Sequence, residues 1–504
     1  MDFVLLVLTS LLSFLLGYLR YRFGYWEQRG VPQLKANFLV GHLAKLRSVH
    51  LSELLQETYD AFRGSALVAG TYVYLQPVAV ALDLDLVKSV LIRDFGKFAD
   101  RRSFHGDPLT NNLFNMQGEE WRSLRTKLTP TFTSGKMKYM FGTITAVAQQ
   151  LGETFEELVG SQGNVLELHD LLGRYTTDVI GNCAFGTKCN SLKDPQTEFR
   201  RVGRQLFQKG VSSIRWRIFK FTYLSSLSKL GLPVRIFAPE VTEFFMRIVR
   251  ETVELREREQ IRRNDFMDLL LGLRRQENGK EFTVEQMAAQ AFVFFVAGFE
   301  TSSSNMSYAL FELAKNEAVQ QKLRREIREV IARHGQLTYE AMMEMPYLDQ
   351  TITETLRKYP ALASLTRVAS EDYEIPARNG GEPIVLEKGT NIHIPVRAIH
   401  YDPEIYPEPD EFRPERFEPA ACQERPAAAF LGFGDGPRNC IGLRFGRMQV
   451  KVGLITLLLR FRFRLPSGSP EKLMVTRRSI ILMPDKGVRL QVDRLEAEEK
   501  QCRA

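Results

Sequence analysis

Apolar side chains recur every three to four positions through most of this chain. That spacing predicts helices over Leu51–Phe62, Glu119–Leu128, Phe141–Leu158, Val241–Arg258, Val284–Ala314 and Tyr347–Lys358. After Gly442 the run LRFGRMQVKVGLITLLLRF has the same period. Strand-like stretches are short: Thr71–Ala81, Asn391–Pro395, and the pair Ser479–Met483 and Gly487–Val492. The fold class is therefore mainly α with small β-sheets. A length of 504 residues suggests about three domains. No repeat, charge block or low-complexity break divides the chain, so one large domain over residues 42–504 is the simpler reading.

The N-terminus has a different pattern. Phe3–Leu19, FVLLVLTSLLSFLLGYL, carries no charge, and its 17 residues make a helix of about 26 Å. This is the short end of what crosses a bilayer and suits the thinner endoplasmic reticulum membrane. A cleaved secretory signal fits less well, because Asp2 precedes the run in place of a base and no small-x-small site follows. Arg20, Arg22 and Arg29 come next, and by the positive-inside rule they hold the rest of the chain on the cytoplasmic face. Residues 1–20 are read as a membrane anchor and residues 21–41, punctuated by Gly and Pro, as a linker.

Charge narrows the partners. With 68 Lys and Arg against 60 Asp and Glu, the net charge of +8 is small and dispersed, which argues against nucleic acid and leaves a membrane or an acidic protein. The five cysteines, Cys183, Cys189, Cys422, Cys440 and Cys502, include no CxxC pair, so neither a disulfide framework nor a zinc knuckle is indicated.

Cys440 stands apart because of its approach, A429-FLGFGDGPRN-C440-IG. Three glycines and a proline lead to a cysteine at the start of a helical pattern, where backbone N–H groups and the helix dipole stabilise a thiolate. The segment fits neither a phosphate loop nor a dinucleotide loop. By itself it leaves two readings open, a metal-ligating thiolate and a cysteine packed as a small hydrophobe.

The pattern F433-x-x-G436-x-R438-x-C440-x-G442 resembles the haem-ligand loop of the cytochrome P-450 superfamily. The resemblance implies the cytochrome P-450 fold, a single large haem domain behind an N-terminal anchor. It also implies that Cys440 is the axial thiolate of haem b, that Arg438 faces a propionate, and that Phe433 packs beside the sulfur. Other segments match in order. Glu354 and Arg357 in ETLR, with Arg416, are similar to a buried structural triad of the family. Trp121 and Arg125 in WRSLR lie one helical turn apart and match residues that hold a propionate, as do Arg101 in FADRRSF and Arg367 in LTRVA.

The long helix around QAFVFFVAGFETSSS matches the family's A-G-x-[ED]-T pattern with Ala297, Gly298, Glu300 and Thr301. Taken alone, the acid and hydroxyl also fit a helix emerging at the surface. Thr301 is placed to bond back to the Ala297 carbonyl and bend the helix. The resemblance implies that Glu300 and Thr301 deliver protons during dioxygen reduction and that Ala297 and Gly298 border the haem, Gly298 opening a groove for oxygen.

The details look most like an insect microsomal detoxification enzyme. The resemblance implies a monooxygenase oxidising hydrophobic small molecules, such as plant toxins or insecticides. Electrons would come from NADPH through NADPH-cytochrome P-450 reductase, with cytochrome b5 as a further donor, because no flavin or nicotinamide module is recognisable. Arg122, Lys127, Lys136, Lys138, Arg444 and Arg447 are a candidate docking face for the reductase. Pocket segments are Phe104–Met116, Leu206–Leu224, Phe292–Thr301, Ala361–Thr366 and Arg478–Ile480, with Phe104, Phe114, Phe207 and Phe295 as aromatic lining. Ile214–Leu224 mixes bases and aromatics and could rest on the bilayer. The competing functions are a haem-thiolate isomerase or dehydratase, against which the Glu300–Thr301 pair counts, and a non-catalytic haem sensor.

Overall fold

The computed structural model describes residues 2–103, 106–161, 163–207, 218–224, 235–263, 265–276, 282–376, 382–426 and 428–495. Phe104, residues 214–217 of the Ile214–Leu224 segment and Cys502 lie outside these. The apolar periodicity forms helices where it predicts them. The helices that position the site are α1 (Asp2–Phe23), α2 (Leu51–Phe62), α3 (Gly118–Leu128), α4 (Ser134–Ser161), α5 (Leu168–Ile180), α6 (Glu198–Phe207), α7 (Pro239–Glu259), α8 (Val284–Lys315), α9 (Pro346–Lys358) and α10 (Leu443–Arg460).

Helix α8 starts at a capping box. Thr283 accepts from the Gln286 N–H, and the Gln286 side chain accepts in return from the Thr283 N–H. Thereafter α8 is buried on nearly every side, packing on α5, α7, α9 and α10 as the central rod of the molecule. The helical core surrounds it, and a second apolar core lies under the first sheet.

Among the described residues nine strands make three sheets: β1 (Val68–Val73), β2 (Gln76–Ala81), β3 (Val165–Glu167), β4 (Leu365–Val368), β5 (Tyr373–Ile375), β6 (Ile384–Leu386), β7 (Asn391–Ile394), β8 (Phe461–Arg464) and β9 (Arg489–Arg494). Their orders are β1-β2-β7-β4, β3-β9-β8 and β5-β6. Two expectations are corrected. Thr71–Ala81 is not one strand: the chain reverses at Tyr74, whose φ of 55° is left-handed, and Val73 pairs back on Gln76. Ser479–Met483 is not a strand and does not pair with the segment after Gly487. Leu482 donates its N–H to the Ala361 carbonyl (3.1 Å), while β9 pairs with the distant β3 and β8.

At the N-terminus α1 runs 22 residues, about 33 Å, beyond the 17-residue apolar run. Among the described residues it is the one helix long and apolar enough to cross a membrane. Residues 21–41 lie against the first sheet. Trp26 is fully buried with its indole N–H on the Thr71 carbonyl (3.1 Å), Arg22 donates to Leu75 O (2.9 Å), and Gly70 donates to Pro32 O (2.8 Å).

Candidate active site

The cysteine loop is held from behind. His400, stacked on Phe430, accepts the Leu431 N–H at Nε2 (2.8 Å) and uses its other ring nitrogen on the Arg357 carbonyl (3.1 Å), tying the loop to α9. Gly436 has a φ of +68°, and a Cβ there would sit 1.9 Å from the Leu91 carbonyl oxygen, so only glycine fits. Cys440 N–H donates to Phe433 O (2.9 Å), which sets Phe433 beside the cysteine, and the Gly442 N–H points to the sulfur.

Cys440 has accessible surface and yet is densely surrounded by protein, so its sulfur borders an interior space. Burial raises the thiol's pKa; the Gly442 N–H, Arg125 and Arg101 pull in the opposite sense. No group of three or more His, Cys, Asp or Glu suited to a metal occurs among the described residues. A metal held by Cys440 would therefore have to bring its other donors with it, as the iron of a porphyrin does.

The remaining walls are strongly cationic. Arg438 is buried; it donates to Met116 O (2.7 Å), lies 4.1 Å from the Trp121 ring, and reaches Asp100 at 3.3 Å. Arg101 covers the Phe114 ring and donates to Phe114 O (3.2 Å). Arg125, one turn after the buried Trp121, donates to Asn439 Oδ1 (2.8 Å). Arg367 is 1% exposed and, among the described residues, its side chain donates only to the neighbouring Thr366 carbonyl (2.9 Å).

The Nε atoms of Arg367 and Arg438 are buried without partners among the described residues. Burial lowers the pKa of both to about 10, abetted at Arg367 by Arg438. Arg101 is pushed well down by burial and then by Arg367, Arg438 and Arg125. Four guanidinium groups thus share this region with one carboxylate, Asp100, and buried like charges require anions. Two porphyrin propionates supply that need, so the donor set fits haem.

Helix α8 faces the same interior. Ala297 is exposed in the middle of a helix whose Phe295, Phe299 and Glu300 are buried, and Thr301 lies one turn on, half-buried. Thr301 Oγ1 donates to the Ala297 carbonyl (2.6 Å), as the sequence indicates. Gly298 differs from its expected role, since a Cβ there would lie 2.3 Å from Ile180 Cδ1. Its lack of a side chain lets α8 approach α5, and its carbonyl accepts from Gln449 Nε2 of α10 (2.8 Å).

Glu300 turns to α5 and meets His169 Nε2 at 2.9 Å, with Ser304 Oγ donating to the same oxygen (3.1 Å). His169 escapes a reading of the sequence because a lone histidine in LHDLLGRY carries no motif. The available signal is Glu300 itself, an acid in an apolar helix that needs a partner.

The ETLR motif forms its expected triad. Glu354 and Arg357 are fully buried and doubly bonded (2.7 and 2.8 Å), and Arg416 lies 3.5 Å from Glu354. Of the expected aromatic lining, Phe295 belongs to the core against Phe199, Phe245 and Phe299, and Phe207 packs on Phe299. On the candidate docking face, Arg122 pairs with Glu119, Lys138 with Glu340 and Arg447 with Asp349, while Arg444 donates to Phe132 O.

Residues 31–492 match the sequence profile of the cytochrome P450 family. The chain belongs to the cytochrome P450 family. It is 45% identical to probable cytochrome P450 6a14 of Drosophila melanogaster over 94% of this chain and 96% of that protein. It is 43% identical to cytochrome P450 6A1 of Musca domestica, over 99% of each. This P450 is thus related over nearly its whole length to insect 6A proteins, monooxygenases that use haem and dioxygen with electrons from a reductase.

Proposed function

We propose that this P450 is a membrane-anchored haem-thiolate monooxygenase that draws electrons from NADPH through a membrane-bound flavoprotein reductase and oxidises lipophilic compounds, xenobiotics among them. The observation that carries this reading is the convergence of Cys440 with four arginines short of anions. Haem b is the group that answers both needs: when bound, it supplies the centre at which dioxygen is reduced and one oxygen atom is passed to an organic substrate. Cys440 binds it, with the Gly442 N–H holding charge on the sulfur. Arg101, Arg125, Arg367, Arg438 and the Trp121 indole N–H bind its carboxylates, and Phe433 shields the thiolate.

On the other wall Ala297 leaves room for substrate, and Thr301 Oγ1, fixed by the Ala297 carbonyl, holds a water for proton transfer. Membership of the family, with insect 6A relatives over nearly the whole chain, supports electron delivery by a separate reductase. Helix α1 supports attachment to the endoplasmic reticulum, with residues 42–504 as the catalytic domain on its cytoplasmic side.

Reduced protein under carbon monoxide is expected to show the red-shifted absorbance of thiolate ligation and to lose it in Cys440→Ala. Persistence of that band in the variant would falsify the assignment.

A further inference from the structure

A pocket of about 270 Å³ opens on the surface between α5, α6 and the turn after Pro484, away from the cysteine loop. Its lining includes His169, Asp170, Arg200, Arg478, Asp485 and Lys486. From its floor His169 reaches inward: Nε2 touches Glu300 Oε1 at 2.9 Å and Ser304 Oγ at 3.3 Å. Among the described residues Nδ1 of His169 has no protein hydrogen bond, and neither has Glu300 Oε2. One histidine therefore stands between a surface pocket and the buried carboxylate next in the chain to Thr301.

We propose that His169 is the positioning residue through which Glu300 is held in place and resupplied with protons from this surface pocket. The inference rests on the monooxygenase reading and deepens it. In the exchange a proton leaves Nε2 and bonds to Glu300, leaving a neutral ring with its N–H at Nδ1; a ring flip then turns the bare Nε2 to the pocket, where it takes a proton from hydronium and releases water, and no electrons move. Sequestering the other charges keeps this path selective. Asp170 is held by Arg174 (2.6 Å), Arg200 (2.8 Å) and Arg204 (2.5 Å), which keep its carboxyl ionised far below the usual range. Glu167 caps α5, accepting from the His169 and Asp170 N–H groups and from Val488 N–H.

Burial lowers the basicity of His169, but the Glu300 carboxylate and, more weakly, Glu167 more than offset it against Arg200, so its pKa is raised. Burial raises Glu300, and His169, Arg200 and Ser304 outweigh it, so its pKa is lowered. Arg478, Asp485 and Lys486 complete the charged surroundings on the pocket side. The pair is charged at neutral pH and loses its proton as pH rises through the raised value of His169.

The test uses the full-length holoenzyme. In its ferrous carbon monoxide form, labelled with ¹³C at histidine Cε1, the signal lost in His169→Gln is expected to titrate above the ordinary histidine value and to fall back in Glu300→Gln. With reductase and no added substrate, NADPH oxidation followed against pH in H₂O and D₂O is expected to slow about tenfold in His169→Gln, below the effect of removing a direct proton donor. His169→Lys, which keeps a cation there, is expected to recover most of the rate.

An unchanged rate and isotope effect in His169→Gln overturns the proposal. So does equal loss in the Gln and Lys variants together with a lowered thermal midpoint, which marks packing alone. Should His169→Gln not fold, Ser304→Ala assigns the signal by its shift, and a titration that Glu300→Gln leaves in place overturns the proposal. Failure of the underlying reading looks different: the wild type then shows neither the carbon monoxide band nor reductase-driven NADPH oxidation.

Discussion

Replacing Arg367 by methionine should move the haem-free and haem-bound proteins in opposite directions. Arg367 is 1% exposed, its Nε has no partner among the described residues, and burial, with Arg438 nearby, brings its pKa down to about 10. That fall corresponds to roughly 3 kcal/mol against the buried charge. The sign follows from linkage: a base with a lowered folded-state pKa destabilises the fold at every pH below that value, and relief comes only as pH rises above about 10. At neutral pH the full penalty is present without an anion. Methionine removes it, so the haem-free variant should be more stable by about 3 kcal/mol. With haem bound, the variant loses a hydrogen bond to a carboxylate, about 1.5–3 kcal/mol, or roughly 10- to 100-fold faster haem loss. Haem transfer to excess apomyoglobin measures the second effect, and denaturant unfolding of haem-free protein the first. Haem loss at the wild-type rate would refute the assignment of Arg367 to a propionate, and a destabilised haem-free variant would refute the charge argument.

Other perturbations separate further parts of the structure. Gly436→Ala must move the Leu91 backbone and adopt a left-handed φ that costs about 1–2 kcal/mol before the clash is counted, so haem incorporation should drop sharply while helix content by circular dichroism persists. His400 is neutral when folded, its pKa lowered to about 3 by burial and Arg357. Stability should therefore fall as pH drops from about 6.5 toward 3, by about 1.4 kcal/mol per pH unit from this group, and His400→Gln should flatten that slope in urea titrations. Deleting residues 2–20 should release protein from membranes with haem binding intact, whereas Trp26→Ala should cost about 3–5 kcal/mol of stability, read by chemical denaturation.

The helices and the cysteine loop were legible because their signals are local. Periodicity within α2 or α9 is complete in a dozen residues, and Gly436, Arg438 and Cys440 lie in one short stretch. What escaped depends on distant partners. The run Ser479–Met483 is short and apolar like a strand, yet its Leu482 bonds to Ala361, and β9 pairs with strands some 30 and 320 residues away along the chain. Tyr74 makes a reversal without the usual glycine or asparagine, so β1 and β2 read as one. Gly298 looked like space for a ligand because nothing local shows Ile180 on its other side. Glu300 stands out as an acid in an apolar helix, but its partner lies 131 positions earlier.

The docking of residues 22–33 on the first sheet would also govern how the body hangs from a bilayer under the proposed anchoring. Arg22 grips Leu75, Phe23 receives the Tyr72 hydroxyl, and Trp26 is sealed beneath the strands, all within a few residues of the end of α1. There is little slack for swivelling. With α1 in a bilayer as proposed, a tether this short would fix which flank of the globule lies on the lipid, and the turn bearing the exposed Phe38 and Leu39 would be a second point of purchase on the same stretch of chain. Two points define a tilt where one defines only a distance, so a donor protein rooted in the same membrane would meet the electron-receiving side at a nearly constant height, searching in two dimensions with most rotations already removed.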